Sequence, residues 1–340
     1  MRLPTAADSG TLHVRVTLPS MQELIGLMRN IAATMRRRDF IAVSALPLIA
    51  GCGVESTVVD GPDAPSFVAP LPSPPRLALV LAAGGLRGFA HVGVLRALSE
   101  IRIKPDLVVG ASVGALVGSA WAAGLPVERI ESMAFDLDFR SMLRWSPGGG
   151  TRLEGRRIGA LLDDALGVAR FEHLATALAV VGTDRASGHP VAFNRGLIGP
   201  AVQASCAVPG WFAPVRIRGR EVIDGDVSSP LPVKVARALG AQRVIAVDVA
   251  VHLDRKRPDG AEVYLESDKL KRAQIDAEAR LADLVLHPYF GYWVNRSRSF
   301  RERAARAAYE QTLAQAGPLR ALAASAGAPL VIPVALARGT

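Results

Sequence analysis

Residues 108–116 read VVGASVGAL, and Gly110-Ala111-Ser112-Val113-Gly114 within them has the spacing of a G-x-S-x-G turn. Glycines two before and two after the serine let two backbone segments pass close together. That lifts the hydroxyl out of the turn and sets it beside a helix N-terminus, as a nucleophile would need. The same spelling also suits a crowded bend with no chemistry, because Gly, Ala, Ser and Val are common residues. Two other stretches could supply what acyl transfer demands of a nucleophile's neighbours. Ala82-Ala83-Gly84-Gly85-Leu86-Arg87-Gly88 can turn several backbone N–H groups toward an anion, or can simply be a tight turn that needs glycines for packing. Asp224 follows Val222-Ile223 and precedes Gly225, as expected of a carboxylate held at a strand end and equally of an ordinary Asp-Gly turn.

The elements around these residues alternate. The apolar run Leu77–Leu81 leads into the glycine run, and the helical pattern FAHVGVLRALSEI follows. Leu107 to Val109 read as the end of a buried strand, and ALVGSAWAAG after the serine reads as a helix. Downstream, LAVVGTDRASGHPVAF gives a strand, a turn from Asp184 to Gly188, and a second strand. ASCAVPGWFAPVRIRGREVIDGDVSSPLP gives a short helix, a proline-bounded bend and two strands ending at Asp224-Gly225; VKVARALGAQRVIAVDVA gives a helix and another buried strand. Strands alternating with helices predict an α/β fold, a mainly parallel sheet with helices on both faces. Sites in such sheets sit at the carboxyl ends of strands, and the glycine run, Ser112 and Asp224 all fall there. Residues 264–325 read as mostly helical, and FRERAARAAYEQTLAQAG carries arginines along one face, either solvated or directed at lipid.

Composition narrows the partners. Half of the 340 residues are hydrophobic and a fifth are charged, enough for a sizeable core in one large or two ordinary domains. The net charge is +9, and six arginines against three acids in residues 1–51 account for only a third of it. This excess suits an anionic membrane surface or an acidic substrate. No aromatic-interleaved basic stripe or zinc-finger spacing appears, so nucleic acid is not an expected partner. The glycine run is not a Walker loop, since no Gly-Lys-Ser/Thr follows, and it is a poor dinucleotide fingerprint. No clustered carboxylate loop is visible, so neither a metal nor another cofactor is expected.

The amino end reads as an address. From Met35 the chain runs MRRRDFIAVSALPLIAGC, a cationic stretch and then an apolar one too short to span a bilayer. Ile49-Ala50-Gly51-Cys52 resembles a bacterial lipoprotein cleavage box with Cys52 lipidated, and Arg37-Arg38-Asp39-Phe40-Ile41 resembles a twin-arginine export signal. Residues 1–34 then form an upstream extension and 35–51 a signal peptide; a short buried helix ending in Cys is the alternative. The expected location is the cell envelope, facing the periplasm, and Gly53 after the cysteine tilts the choice toward the outer membrane. Residues 53–76 contain six prolines and read as an extended tether, with the globular part beginning near Arg76. Cys206 is left as a lone thiol, expected in the core.

Four blocks in one order, GGLRG with HVGVL behind it, GASVG, GTDRASG, and ASCAVPGWFAPV running into DGDVSSPLP, resemble the bacterial branch of the patatin-like phospholipase family. The similarity covers roughly residues 77–250, the implied catalytic domain, and is weaker through about 320 in the helical extension 251–340. It implies a three-layer αβα fold and a Ser-Asp dyad in a carboxylic ester hydrolase acting on lipids. Ser112 would be nucleophile and Asp224 base, with the backbone of Gly84, Gly85 and Leu86, joined by Val113, as oxyanion hole; Arg87, Gly88, Gly110, Gly114 and Gly225 complete the motifs. The family often has a third glycine where this chain has Ala83, and often Gly or Ala where it has Asp226. Arg87 would orient the loop or meet an anionic headgroup, or else be a solvated helix-start residue.

Asp is a weaker base than imidazole, so turnover should be modest unless Asp224 is desolvated and its pKa raised. His252 and His287 follow Asp224 as the third member of a conventional triad would, although their flanks look like ordinary loop and strand-end positions. His91 reads as a core histidine, Asp248 as a strand-end hydrogen-bonding residue, and Asp184 as the tie of its turn. Trp211 and Phe212 face either an acyl pocket or the core. The expectation is a lipid-anchored serine acyl hydrolase acting on membrane phospholipids or related glycerolipids. Its rivals are a silent lipid-binding scaffold of the same fold and a triad esterase for small soluble esters.

Overall fold

A computed structural model describes residues 57–137, 144–145 and 153–326. The chain enters the sheet at Thr57–Val59 (β1) and Ser66–Phe67 (β2), well before Arg76. Much of the expected tether is therefore part of the fold. Asn194 receives the backbone N–H of Ala69 and donates to its carbonyl at 2.9 and 2.8 Å, and Arg218 donates to the carbonyls of Ala64 and Pro65. The prolines stand between these contacts, where a missing N–H breaks no ladder. The signal segment and Cys52 lie outside the described residues.

Next come Leu77–Leu81 (β3), the single-turn 3-10 helix Gly85–Gly88, Phe89–Glu100 (α1), Leu107–Ala111 (β4), Val113–Ala122 (α2) and Val127–Phe135 (α3). A separate antiparallel pair joins Arg144–Trp145 (β5) to Leu153–Glu154 (β6). Arg156–Leu166 (α4), Ala177–Asp184 (β7), Pro190–Arg195 (β8), Ile198–Ser205 (α5), Val215–Ile217 (β9) and Arg220–Ile223 (β10) lead to Val233–Ala238 (α6) and Arg243–Val247 (β11). Leu265–Ala279 (α7), Leu284–Leu286 (β12), Arg298–Leu313 (α8) and Ala316–Ala324 (α9) follow.

One sheet runs in the order β1-β9-β10-β7-β4-β3-β11-β12, with β8 beside β7 and β2 beside β8. Its centre, β7-β4-β3-β11-β12, is parallel throughout. β10, β9, β8 and β2 join by antiparallel pairing, so the sheet is mixed with a parallel core. Every residue of β3 and β4 is buried. Alternate side chains of a strand point to opposite faces, so full burial means that helices cover both, the three-layer arrangement.

The carboxyl-terminal part is not an appendage. β12 extends the sheet in parallel with β11, and α8 lies so close to α1 that a Cβ on Gly93 would sit 1.8 Å from the carbonyl oxygen of Ala305. The arginines of α8 divide: Arg298, Arg303 and Arg306 are exposed, whereas Arg301 is buried and donates to the carbonyls of Phe135 and Leu137 at 2.8 and 2.9 Å. Among the described residues no helix is long and apolar enough to cross a membrane.

Candidate active site

β4 ends at Ala111 and α2 begins at Val113, which leaves Ser112 alone in the turn with φ 53° and ψ −124°. A residue with a Cβ rarely adopts that backbone, and holding it there costs about 1–3 kcal/mol. The flanking glycines explain how the turn closes. A Cβ on Gly110 would lie 2.5 Å from the backbone of Gly114, and one on Gly114 would lie 2.2 Å from the Leu81 carbonyl oxygen. Strand and helix thus cross at backbone contact. Ser112 N–H donates to Ser205 Oγ at 2.8 Å, and Ser205 Oγ donates to the Val181 carbonyl at 2.6 Å, which pins the strained residue to α5 and β7.

Asp224 follows β10 and is 1% exposed. Its Oδ2 accepts a 2.8 Å hydrogen bond from Ser112 Oγ, across 112 positions of sequence. Its Oδ1 accepts the N–H of Asp226 at 2.8 Å, its own N–H donates to the Ala207 carbonyl at 3.0 Å, and its carbonyl accepts Thr183 Oγ at 2.8 Å. The carboxylate is fixed from every side. Burial is the main reason its pKa rises from 3.8 to about 7; the Asp226 charge adds to the rise, and hydrogen bonds from Asp226 N–H and Ser112 with the Lys271 charge oppose it. Asp226 is itself ion-paired with Lys271 of α7. Cys206, at the end of α5, shares the environment: burial and the Asp224 charge push its thiol well above the ordinary range, opposed by its interaction with Ser112. It is a neighbour of the pair rather than a remote core thiol, and it is inert as a thiolate.

The glycine run forms the 3-10 turn, whose first internal bond goes from Arg87 N–H to the Gly84 carbonyl at 3.0 Å. The N–H groups of Gly84, Gly85 and Leu86 precede that bond, as Val113 N–H precedes the first bond of α2, from Ala115 N–H to the Ser112 carbonyl. The end of the glycine turn touches the start of α2: a Cβ on Gly88 would overlap the Val113 side chain at 2.3 Å. The amide hydrogens of Gly84, Gly85, Leu86 and Val113 thus lie outside the internal bonds of the two turns. Arg87 is not solvated. It is 8% exposed, stacks 4.5 Å from the Phe290 ring centre, and donates to the carbonyls of Val249, Gly291 and Tyr292 at 2.5, 3.1 and 2.9 Å. It ties the glycine turn to the loops after β11 and β12, and burial lowers its pKa to about 10.

His91 is fully buried, bonded through Nε2 to the Ala82 carbonyl at 2.8 Å, and burial pulls its pKa to about 4. It is a neutral brace beneath the glycine turn. His252 and His287 stack face to face with ring centres 3.6 Å apart, and His287 bonds the Ala250 carbonyl at 3.1 Å. No histidine among the described residues hydrogen-bonds Ser112. Asp248 accepts Ala250 N–H and Arg272 at 2.9 and 2.5 Å, and Asp184 accepts the N–H groups of Ala186 and Ser187, both at 3.0 Å. Both hold turns. Trp211 is 53% exposed and so not core, whereas Phe212 is partly buried against it. Gly225 passes over Val181, where a Cβ would meet the carbonyl oxygen at 2.3 Å. Among the described residues no group of three or more potential metal ligands exists.

The sequence reading missed Ser205, Thr183 and Lys271. Ser205 has a visible signal, a polar residue in the small-residue run before Pro209; Lys271 sits on a polar helix and has none.

Residues 79–237 match the family model of the patatin-like phospholipases. An uncharacterized NTE family protein of Mycobacterium tuberculosis is 36% identical over 180 residues, 52% of this chain and 50% of that protein. The neuropathy target esterase sws of Drosophila melanogaster is 31% identical over 183 residues, 51% of this chain and 13% of that protein. The chain thus spans about half the length of the mycobacterial relative. The crystal structure of VipD from Legionella pneumophila matches with a TM-score of 0.53 at 18% identity, over 71% of this chain and 66% of that one, a likeness of fold. The glycine turn, Ser112 and Asp224 all lie within the residues that match the patatin-like phospholipase family model.

Proposed function

We propose that the protein hydrolyses fatty-acyl esters of glycerolipids through Ser112 and Asp224. The observation that carries the reading is the 2.8 Å hydrogen bond from Ser112 Oγ to a buried carboxylate whose pKa lies at about 7. Ionised Asp224 takes the Ser112 proton as Oγ attacks the ester carbonyl. The oxyanion that forms meets the N–H groups of Gly84, Gly85, Leu86 and Val113. Asp224 then passes the proton to the departing alkoxide, which leaves an acyl-serine. Water attacks that ester with Asp224 again as base, and fatty acid departs while Ser112 regains its proton. Each oxyanion donor contributes about 2.7–4 kcal/mol to transition-state stabilisation.

Lipid is favoured over a small soluble ester by the rim. Val208, Trp211 and Val227, on the segments that flank Asp224, are 38%, 53% and 43% exposed, an apolar surface suited to acyl chains. Among the described residues no histidine contact supports the triad alternative. We further propose attachment to an envelope membrane through a lipid on Cys52; four residues lie between it and β1, so the five Cα steps would reach at most about 18 Å. Fatty-acid release from mixed lipid micelles tests the reaction: Ser112→Ala and Asp224→Asn should each lose at least about a hundredfold. Release that survives in both variants refutes it.

A further inference from the structure

A cavity of about 190 Å³ is lined by Gly84 and Arg87 of the glycine turn, by Asp226, and by Asp268, Lys271 and Arg272 of α7. Asp226 stands two residues past Asp224, so the cavity adjoins the proposed dyad without containing it. We propose that it holds the phosphate-bearing headgroup of the lipid cut at Ser112, with preference for headgroups that carry an N–H or O–H donor. This deepens the reading above and rests on it.

The donors and acceptors of the wall point to that chemistry. Lys271 Nζ is paired with Asp226 Oδ2, which leaves two of its three N–H donors for a ligand. Arg272 is held from behind by Asp276 at Nε, 2.8 Å, and by Asp248 at Nη1, 2.5 Å; its Nη2 bonds no acceptor among the described residues. Arg257 and Tyr292 occupy Asp268 Oδ2 at 2.8 and 2.9 Å. Two cations with spare donors on one helix fit the oxygens of a phosphodiester. Asp226 Oδ1 is buried and has no hydrogen-bond partner among the described residues. A buried acceptor left unpaired is unfavourable, and because Asp226 lines the cavity, turning its carboxylate toward a donor supplied by the ligand relieves it. A primary ammonium or a hydroxyl next to the phosphate does so; a quaternary ammonium has no hydrogen to give.

The experiment measures kcat/KM for fatty-acid release from neutral-detergent micelles. These contain phosphatidylethanolamine, phosphatidylglycerol, phosphatidylcholine or diacylglycerol of identical acyl chains. The wild-type protein should favour the first two over phosphatidylcholine about tenfold, the effect of one charge-assisted hydrogen bond. Lys271→Met should lower all three phospholipids about tenfold relative to diacylglycerol. Asp226→Ala should erase the advantage over phosphatidylcholine. Ratios between substrates are the readout because both residues also act on the Asp224 charge, which affects every ester alike. Labelling of Ser112 by a fluorophosphonate reports folding of each variant. Glycerophosphoethanolamine should compete with a soluble ester at least about tenfold better than inorganic phosphate; equal competition would mark a free-phosphate site and overturn the headgroup assignment. A wild-type profile indifferent to headgroup, or ratios unchanged in both variants, overturns the inference while leaving ester hydrolysis standing. No release from any lipid together with no labelling sinks both.

Discussion

Raising the pH from about 6 to about 8 should increase kcat/KM roughly tenfold, because a base with a pKa of about 7 passes from a tenth to nine-tenths ionised over that interval. A carboxylate at the ordinary 3.8 would be ionised throughout and give a flat profile. The same displacement has a consequence for stability. About three pKa units at 1.36 kcal/mol each amount to an upper bound of about 4 kcal/mol, the cost of the charge in a site 1% exposed. The folded pKa lies above the unfolded one, so the stabilisation is complete below about pH 4 and is lost as the pH rises through about 7. Asp224→Asn keeps the shape without the charge and should escape that loss. Urea unfolding of both proteins at about pH 4.5 and about pH 8, with rates on a soluble aryl ester across the same range, makes the comparison. The variant should gain on the wild type by up to about 4 kcal/mol at the higher pH while losing activity. Parallel stabilities at both pH values and a flat rate profile would refute the reasoning.

Gly110→Ala should destabilise by at least about 2 kcal/mol, read by urea unfolding, because its Cβ would lie 2.5 Å from the Gly114 backbone. Ser205→Ala leaves Ser112 N–H without its acceptor and should lower stability by about 1–3 kcal/mol and kcat with it, measured by unfolding and by steady-state rates. His252→Ala and His287→Ala should each retain activity on a soluble ester within about threefold, since the pair stacks on itself and neither touches Ser112. Intact-mass analysis of the mature protein should show a chain beginning at a diacylated Cys52; an unmodified chain that retains residues 36–51 contradicts the anchor.

The sequence exposed the parallel centre of the sheet because its parts are local. Leu77–Leu81 and Leu107–Ala111 are apolar runs followed at once by their glycine turns and helices, so strand, turn and helix can be read within about 25 residues. The edges were not legible. β1 pairs in parallel with β9, whose partners Val215 to Ile217 lie far along the chain, and only tertiary contact makes residues 57–76 more than a proline-rich stretch. Ser112 and Asp224 stood out singly as turn residues; their hydrogen bond depends on β10 pairing antiparallel with β7, next to β4, a register that no local pattern encodes. Arg87 looked like a helix-start cation, and its burial arises from carbonyls of Val249, Gly291 and Tyr292 supplied by distant loops.

The most direct measurement is the site and rate of fluorophosphonate labelling, followed by intact mass and peptide mapping. The account predicts a single adduct on Ser112 in the wild-type protein, none in Ser112→Ala, and a rate reduced at least about a hundredfold in Asp224→Asn. An adduct elsewhere, or equal labelling of all three proteins, would contradict it.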